Sequence, residues 1–208
     1  MNVHKALAEL KVLNNRITNK IVDTKFCVAN KATNSKIGGK SIENWMNDVR
    51  GNYQSINDLI NRRNAIKRAV NLSNASNTVN INGKTYSVAE AIEMKQYGIE
   101  LYETLLREMK HDFTKANNEV ANNNEVTEAK AMEYAKQCMD KEKTTVEGLR
   151  EVENLRSSYY EKHKTELIDP IDISTQIREL EAYIDKFSSE VDSAISVSNA
   201  TTVITIEY

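Results

Sequence analysis

The chain has 208 residues and a formal net charge of −2, with charged residues making up 28% of it. This length fits one domain, and the near-neutral charge argues against a general attraction to nucleic acid or to a membrane surface. No segment reaches the roughly 18 apolar residues of a membrane span, and the first residues lack the apolar core of a secretory signal. Cys27 and Cys138 suit a reducing compartment, and we expect them to be small buried apolar side chains rather than a disulfide. We therefore expect a cytosolic protein with neither membrane nor nucleic-acid partners.

Few residues in the chain break helices. There are six glycines and a single proline, Pro170, which favours long helices. A first amphipathic helix is predicted from about residue 3 to about residue 30. Ser41 is expected to cap a second helix, and Ser87 with Glu90 forms the capping box of a third. Asp172, after the corner at Pro170, is expected to cap the last helix.

The middle of the chain is polar. Residues 115–126, KANNEVANNNEV, predict a turn or a helix break because asparagine favours turns. Residues from about 108 to about 165 are predicted to form a mostly exposed helical hairpin, either an arm or an element whose apolar partner lies in another subunit. We expect residues 1–208 to form a single domain from which this hairpin, residues 108–165, projects.

Two similar phrases suggest how the helices connect to strands. AVNLSNASNTVNI begins at Ala69, and AISVSNATTVITIEY begins at Ala194. The first leads into Asn82-Gly83, a strong signal for a two-residue hairpin turn. The second leads into a predicted C-terminal strand, which we expect to pair with that hairpin. Chance recurrence remains the alternative. The predicted fold is mainly α: an elongated helical bundle with a long helical hairpin and a small three-stranded antiparallel sheet.

A cluster of positive charge lies in the second helix. Residues 61–70, NRRNAIKRAV, carry Arg62, Arg63, Lys67 and Arg68 without an acidic residue among them. On a helical wheel centred on Ile56, Arg63 falls at about −20° and Lys67 at about +20°, in the middle of the apolar stripe. Arg62 and Arg68 fall at about 120° to either side, towards solvent.

A charge in an apolar stripe requires a partner of opposite charge. One interpretation is an internal ion pair with a carboxylate of the last helix, the candidates being Glu179, Glu181 and Asp185. The other is a phosphate-binding pocket held by Arg63 and Lys67, with Arg62 and Arg68 assisting. In that pocket Asn74 and Asn199, at the two similar helix ends, would add neutral hydrogen bonds.

The sequence contains no complete catalytic or metal-binding motif. Gly39-Lys40-Ser41 resembles the tail of a P-loop, but Asn34 stands where that motif requires glycine, so a helix cap is favoured. The three histidines, at positions 4, 111 and 163, lack metal-ligand spacing. Tyr159, Tyr160 and Tyr208 could stack on a ring or belong to the core. We predict a protein that is not an enzyme and uses no cofactor or metal.

Three stretches resemble a known family: RRNAIKRAV with LSNA, INGKTYSVAEAIEMK, and ELIDPIDI followed by VSNATT. They are similar to a family of small helical proteins encoded by tailed phages of Firmicutes, which is distantly similar to bacterial septicolysin-like proteins. The resemblance covers most of the chain except the asparagine-rich middle.

A phage origin implies one of two roles. The protein would either be a structural or assembly component of the virion, or act against host defence in the bacterial cytoplasm. Phage proteins of the second kind, such as Sequestin and Lockin, sequester nucleotide immune signals in oligomers without degrading them. We therefore expect a homo-oligomer that binds a phosphate-containing nucleotide ligand, such as a cyclic ADP-ribose or a cyclic dinucleotide. A virion or interaction protein without a small-molecule ligand is the alternative.

Overall fold

The computed structural model describes residues 1–138 and 146–207, and it confirms the prediction of a mainly helical chain. The helices are α1 (Val3–Asp23), α2 (Ile42–Ser76), α3 (Val88–Glu93), α4 (Ile99–Gln137), α5 (Val146–His163) and α6 (Ile173–Thr201). The strands are β1 (Lys36–Ile37), β2 (Lys40–Ser41), β3 (Thr78–Ile81) and β4 (Lys84–Ser87). A π-helical turn, Met94–Gly98, joins α3 to α4.

The predicted helix starts are confirmed. The Ser41 hydroxyl accepts a hydrogen bond from the backbone N–H of Asn44, and α2 begins at the next residue after Ser41. At α3, Ser87 and Glu90 exchange hydrogen bonds in the predicted capping box. α6 begins directly after Asp172, as predicted, but its first N–H group, that of Ile173, is accepted by the Asp169 carboxylate at 2.8 Å rather than by Asp172. Each device satisfies N–H groups that the helix itself leaves unpaired.

α1 is shorter than predicted. It ends at Asp23 rather than near residue 30, because Thr24 adopts an extended conformation. The Thr24 hydroxyl donates to the carbonyl of Lys20 at 2.7 Å, which satisfies one of the last carbonyls of the helix. Val28, placed on the apolar stripe by its spacing, lies beyond the helix and is exposed. The prediction that the two cysteines are buried is also wrong, because Cys27 and Cys138 are exposed.

The predicted break in the asparagine-rich stretch is wrong, because residues 115–126 lie inside the continuous helix α4. Asparagine is a weak helix former, but these side chains find local partners. Asn117 donates to the carbonyl of Phe113 at 2.9 Å. Asn124 donates to the carbonyl of Thr165 at 2.9 Å and accepts the Thr165 N–H at 2.7 Å, which ties α4 to the end of α5.

α4 and α5 pack antiparallel, since Asn124 meets Thr165 and, further along, Tyr134 meets Tyr159. Their shared face buries Ala131, Ala135 and Gly148, small residues that permit close approach of the two backbones. The helical pair therefore agrees with the predicted hairpin, although α4 begins before residue 108. A single domain over 1–208 with a projecting hairpin stays a prediction.

The predicted three-stranded sheet is wrong. β3 and β4 form a two-stranded hairpin, and β1 and β2 form a second one that the sequence did not predict. The C-terminal segment pairs instead with the first residues of the chain, through an antiparallel bridge between Asn2 and Val203. Because Ile204 and Ile206 pack in the core between α1 and α2, the segment runs beside the start of α1 rather than beside β3.

The chain divides into two compact units. One comprises Met1–Gly98 and Lys186–Tyr208, and the other comprises Ile99–Asp185. The core of the first unit is formed by one face of α1 and the second half of α2, together with the C-terminal segment. Its buried residues are Val3, Ala6, Leu10, Leu13, Ile17, Ile66, Val70 and Ile204. The basic cluster of α2 lies in this unit, directly beside that core.

Candidate ligand-binding groove on α2

The four basic residues of α2 point in different directions around the helix. The buried direction is set by Leu59, Ile66 and Val70, which pack against α1. The sequence prediction that Arg63 and Lys67 lie within the apolar stripe of this helix did not include Leu59 in that stripe. On the wheel centred on Ile56, these three residues place the core-facing direction of α2 at about −60°.

This shift explains the exposure of each cation. Arg63 lies about 40° to one side of the core direction and Arg62 about 60° to the other, and both are half-buried. Lys67 lies about 80° away and is exposed, so its predicted position within the apolar stripe is wrong. Arg68 points away from the core and is exposed, as predicted, whereas Arg62, also predicted to face solvent, is only partly exposed, at 39% of its side chain.

Arg62 forms an ion pair with Glu9 of α1, with 2.5 Å between Nε and the carboxylate oxygen. Of the predicted partners in the last helix, Glu181 pairs with Lys110 instead. An internal ion pair therefore exists in the cluster, but it connects α2 to α1 and involves Arg62 rather than Arg63. At 39% and 26% side-chain exposure, this pair is partly screened by solvent.

Arg63 is held by neutral groups. Its Nε donates to the Asn14 side-chain oxygen at 3.2 Å, and its Nη1 donates to that of Asn64 at 3.1 Å. Within residues 1–138 and 146–207, no carboxylate forms an ion pair with Arg63, Lys67 or Arg68. Three positive charges thus remain unneutralised by direct pairing within the described part of the chain.

A groove of about 710 Å³ lies along the outer side of α2. It is lined by Asp58, Asn61, Arg62, Asn64, Ala65, Arg68 and Glu207. The lining therefore combines two guanidinium groups, two carboxylates and two amides. Such a set offers donors for phosphate and acceptors for hydroxyl groups. We call this site the α2 groove.

The structure gathers only part of the predicted site. Arg62 and Arg68 share the α2 groove, whereas Arg63 and Lys67 lie on the same helix outside its lining. Asn74 and Asn199 are half-buried in the last turns of α2 and α6 and do not line the groove either. The two similar helix ends do meet, because Asn77–Asn80 and Ala194–Thr202 contribute to the lining of one separate groove.

Several groove residues were missed by the sequence analysis. Asp58, Asn61 and Asn64 lie three or four residues from one another or from Arg62 and Arg68, so a search for polar residues at helical spacing would have found the polar α2 part. Glu207 comes from the C-terminal segment, 139 positions beyond Arg68 in numbering, and no local pattern connects the two.

The other sequence candidates have structural roles. Lys40 pairs with Asp48, and Gly38 and Gly39 have positive φ values of 54° and 84° in the β1–β2 turn. Tyr159 stacks on His163 with ring centroids 4.2 Å apart and contacts Tyr134 at 5.1 Å. Tyr208 lies outside the described residues. Among those described, no group of three or more His, Cys, Asp or Glu residues is placed to hold a metal ion.

Comparisons with known proteins give no family model, no curated protein and no solved structure that matches this chain. Within the described ranges, no helix is both long and apolar enough to cross a membrane.

Proposed function

We propose that the protein binds a nucleotide-type ligand in the α2 groove and sequesters it without chemical turnover, as a homo-oligomer in the host cytoplasm. The observation that carries the proposal is the lining of this groove, where Arg62 and Arg68 lie together with amides and carboxylates. A volume of about 710 Å³ is within the usual range of small-molecule sites.

The mixed charge of the lining favours a nucleotide over a bare phosphate. Arg62 and Arg68 would donate to the phosphate oxygens, for which guanidinium groups are well suited. Asp58 and Glu207 would repel a bare phosphate but can accept hydrogen bonds from ribose hydroxyls, as carboxylates do in dinucleotide sites. Asn61 and Asn64 carry amides that can pair with the edge of a base.

The positive charges outside the groove support the same ligand class. Arg63 directly follows Arg62 and Lys67 directly precedes Arg68, and neither Arg63 nor Lys67 is ion-paired within the described residues. Charges within about 10 Å still act on a bound anion at physiological salt. We therefore assign Arg63 and Lys67 to the attraction of the ligand, and Arg62 and Arg68 to direct contact with its phosphate.

Thermal unfolding with a panel of ligands tests the proposal. The panel contains cyclic ADP-ribose isomers, cyclic dinucleotides, pyrophosphate and inorganic phosphate. A true ligand at about 100 times its Kd is expected to stabilise the protein by about 2.7 kcal/mol. Arg68→Ala should abolish the shift, whereas Arg50→Ala, an exposed arginine earlier on α2, should preserve it. No shift with any member of the panel would contradict the proposal.

A second candidate is a virion or interaction protein without a small-molecule ligand. It is favoured by the ion pair between Arg62 and Glu9, because this pair already gives Arg62 a structural role. The two carboxylates of the groove also balance its two guanidinium groups. Detection of the protein by mass spectrometry in purified particles, together with no ligand-induced stabilisation, would favour this candidate.

A further inference from the structure

Within residues 1–138 and 146–207, strand β3 has one edge without a partner strand. Its other edge pairs with β4, in the register Val79 with Tyr86 and Ile81 with Lys84. The positive φ values of Asn82 (52°) and Gly83 (73°) define a two-residue type I′ turn. In such a hairpin the residues that flank the turn exchange hydrogen bonds, and every second residue along the strand does the same. The backbone groups of Ile81 and Val79 therefore point to β4.

The backbone N–H and C=O groups of the alternate residues, Thr78 and Asn80, point away from β4. Among the described residues, no backbone or side-chain group forms a hydrogen bond with them outside the hairpin. Thr78 and Asn80 are both exposed. The outer edge of β3 is therefore open to another strand.

This edge faces a groove of about 490 Å³. Its other side is formed by one face of the last two turns of α6, with Ala194, Val197 and Ser198 among the lining residues. Every residue that lines this groove is uncharged. Val197 is 60% exposed, and Leu72 and Val203, in an adjoining groove that shares Asn77, are 66% and 75% exposed. The open edge thus lies in an uncharged and partly apolar surface.

Proteins usually guard open edges against pairing with another chain, with lysine, proline, a bulge or a covering element. β3, with the sequence TVNI, carries no lysine or proline, and its pairing with β4 is regular. β4, with the sequence KTYS, carries Lys84. The two strands of the hairpin therefore differ, because β3 carries no charged residue whereas β4 carries Lys84.

We propose that the β3 edge joins two copies of this chain. β3 pairs antiparallel with the β3 strand of a second copy, so that two hairpins form one continuous four-stranded sheet. In this register the two-fold axis passes between Val79 of one copy and Val79 of the other. Thr78 of each copy then lies opposite Asn80 of the other copy. Thr78 and Asn80 are the residues whose backbone groups point outwards, so each of these two pairs exchanges both N–H···O bonds.

The edge suits a second copy because it is complementary to itself. The two-fold arrangement places no like charges opposite each other, since TVNI carries none, and it closes as a dimer rather than extending into a filament. Val197, on the α6 side of the groove, would be covered by the incoming strand. This interface does not depend on ligand binding in the α2 groove.

Sedimentation of the full chain over a range of concentrations tests the interface, and a matched pair of proline variants identifies the edge. Asn80→Pro removes an outward N–H and leaves the hydrogen bonds between β3 and β4 intact, since proline is tolerated on an edge. Thr85→Pro does the same on the opposite edge, because Thr85 lies across from Asn80 in the register. We expect a dimer for the wild type and Thr85→Pro, and at least a tenfold weaker dimer for Asn80→Pro.

A second variant covers the case in which Asn80→Pro fails to fold. Asn80→Lys keeps the backbone N–H and places two positive charges at the interface, one from each copy, so dimerisation should weaken most at low salt. A wild-type protein that stays monomeric up to roughly the 100 μM range, well above typical specific affinities, would overturn the proposal. So would a dimer that both Asn80 variants leave unchanged.

Discussion

The backbone of Asn2 pairs with that of Val203 in an antiparallel bridge, which joins the first residues of the chain to the C-terminal segment. Around it, the N–H of Val3 donates to the carbonyl of Thr202 at 3.0 Å, and the N–H of Ile204 donates to that of Met1 at 2.8 Å. The Asn2 side chain also caps α1 by accepting the N–H of Lys5 at 2.9 Å. The start of α1 and the end of α6 are thereby fixed to each other within one unit.

Asn2→Ala is expected to destabilise this unit. The substitution removes the cap of α1 and the hydrogen bond from Asn2 Nδ2 to the carbonyl of Ala200, at a cost of about 1–2 kcal/mol. Urea unfolding measures the loss. Asn30→Ala, which removes two exposed hydrogen bonds with Asn34 but no helix cap, is the control and should cost less than Asn2→Ala. Equal effects of the two variants would mean that the cap contributes nothing specific.

The ion pair between Glu9 and Arg62 predicts opposite effects on stability and on ligand binding. Glu9→Gln should cost less than about 1 kcal/mol in the free energy of unfolding, because both side chains are partly exposed. It should also release the Arg62 guanidinium and so strengthen anion binding in the α2 groove. Titration calorimetry with the ligand identified by thermal unfolding measures this change. Weaker binding by Glu9→Gln would show that Arg62 needs Glu9 to be positioned.

The core between α1 and α2 predicts a large cost for Ile66→Ala. Ile66 is fully buried among α1 residues, so its truncation leaves a cavity that should cost about 2–5 kcal/mol. Val12→Ala, on the solvent side of α1 with 64% exposure, should change the free energy of unfolding by less than about 0.5 kcal/mol. Chemical denaturation compares the two, and a small loss for Ile66→Ala would contradict the packing of α2 on α1.

Two adjacent asparagines of α4 provide a matched comparison. Asn124→Ala should lose both hydrogen bonds to the backbone of Thr165 and destabilise the α4–α5 pair by about 1–3 kcal/mol. Asn123 is exposed, and Asn123→Ala should be neutral or slightly stabilising because alanine is the better helix former. Hydrogen exchange at the Thr165 amide measures the difference. Similar exchange rates in both variants would contradict the role of Asn124.

The capping box of α3 predicts a loss of stability in acid. Hydrogen bonds from the backbone and side chain of Ser87 lower the pKa of the Glu90 carboxyl below its ordinary value. A carboxyl with a lowered folded-state pKa stabilises the protein above its unfolded pKa, and this contribution disappears as the pH falls through the folded pKa. Glu90→Gln should therefore flatten the stability profile in the acid range. Glu93→Gln, a neighbouring acidic position, serves as the control.

The sequence by itself determined the local features of this protein. Ser41, Ser87 with Glu90, and Asn82-Gly83 each fix a helix start or a turn through contacts within a few residues, and all three are observed as predicted. The helical class follows in the same way from periodicity and from the scarcity of glycine and proline. Local signals of this kind need no knowledge of the remaining chain.

Only the tertiary structure determined which distant segments of the chain these elements contact. The C-terminal segment, predicted as a strand, forms a single bridge with the first residues of the chain rather than pairing with β3, because Ile204 and Ile206 pack against α1 and α2. The direction of the basic cluster changed for the same reason: Leu59 and Ile66 turn α2 so that Lys67 is exposed and Arg62 reaches Glu9. Asn124 stays helical because Thr165, from another segment, satisfies its amide. Each outcome depends on a partner distant in sequence, which local pattern cannot identify.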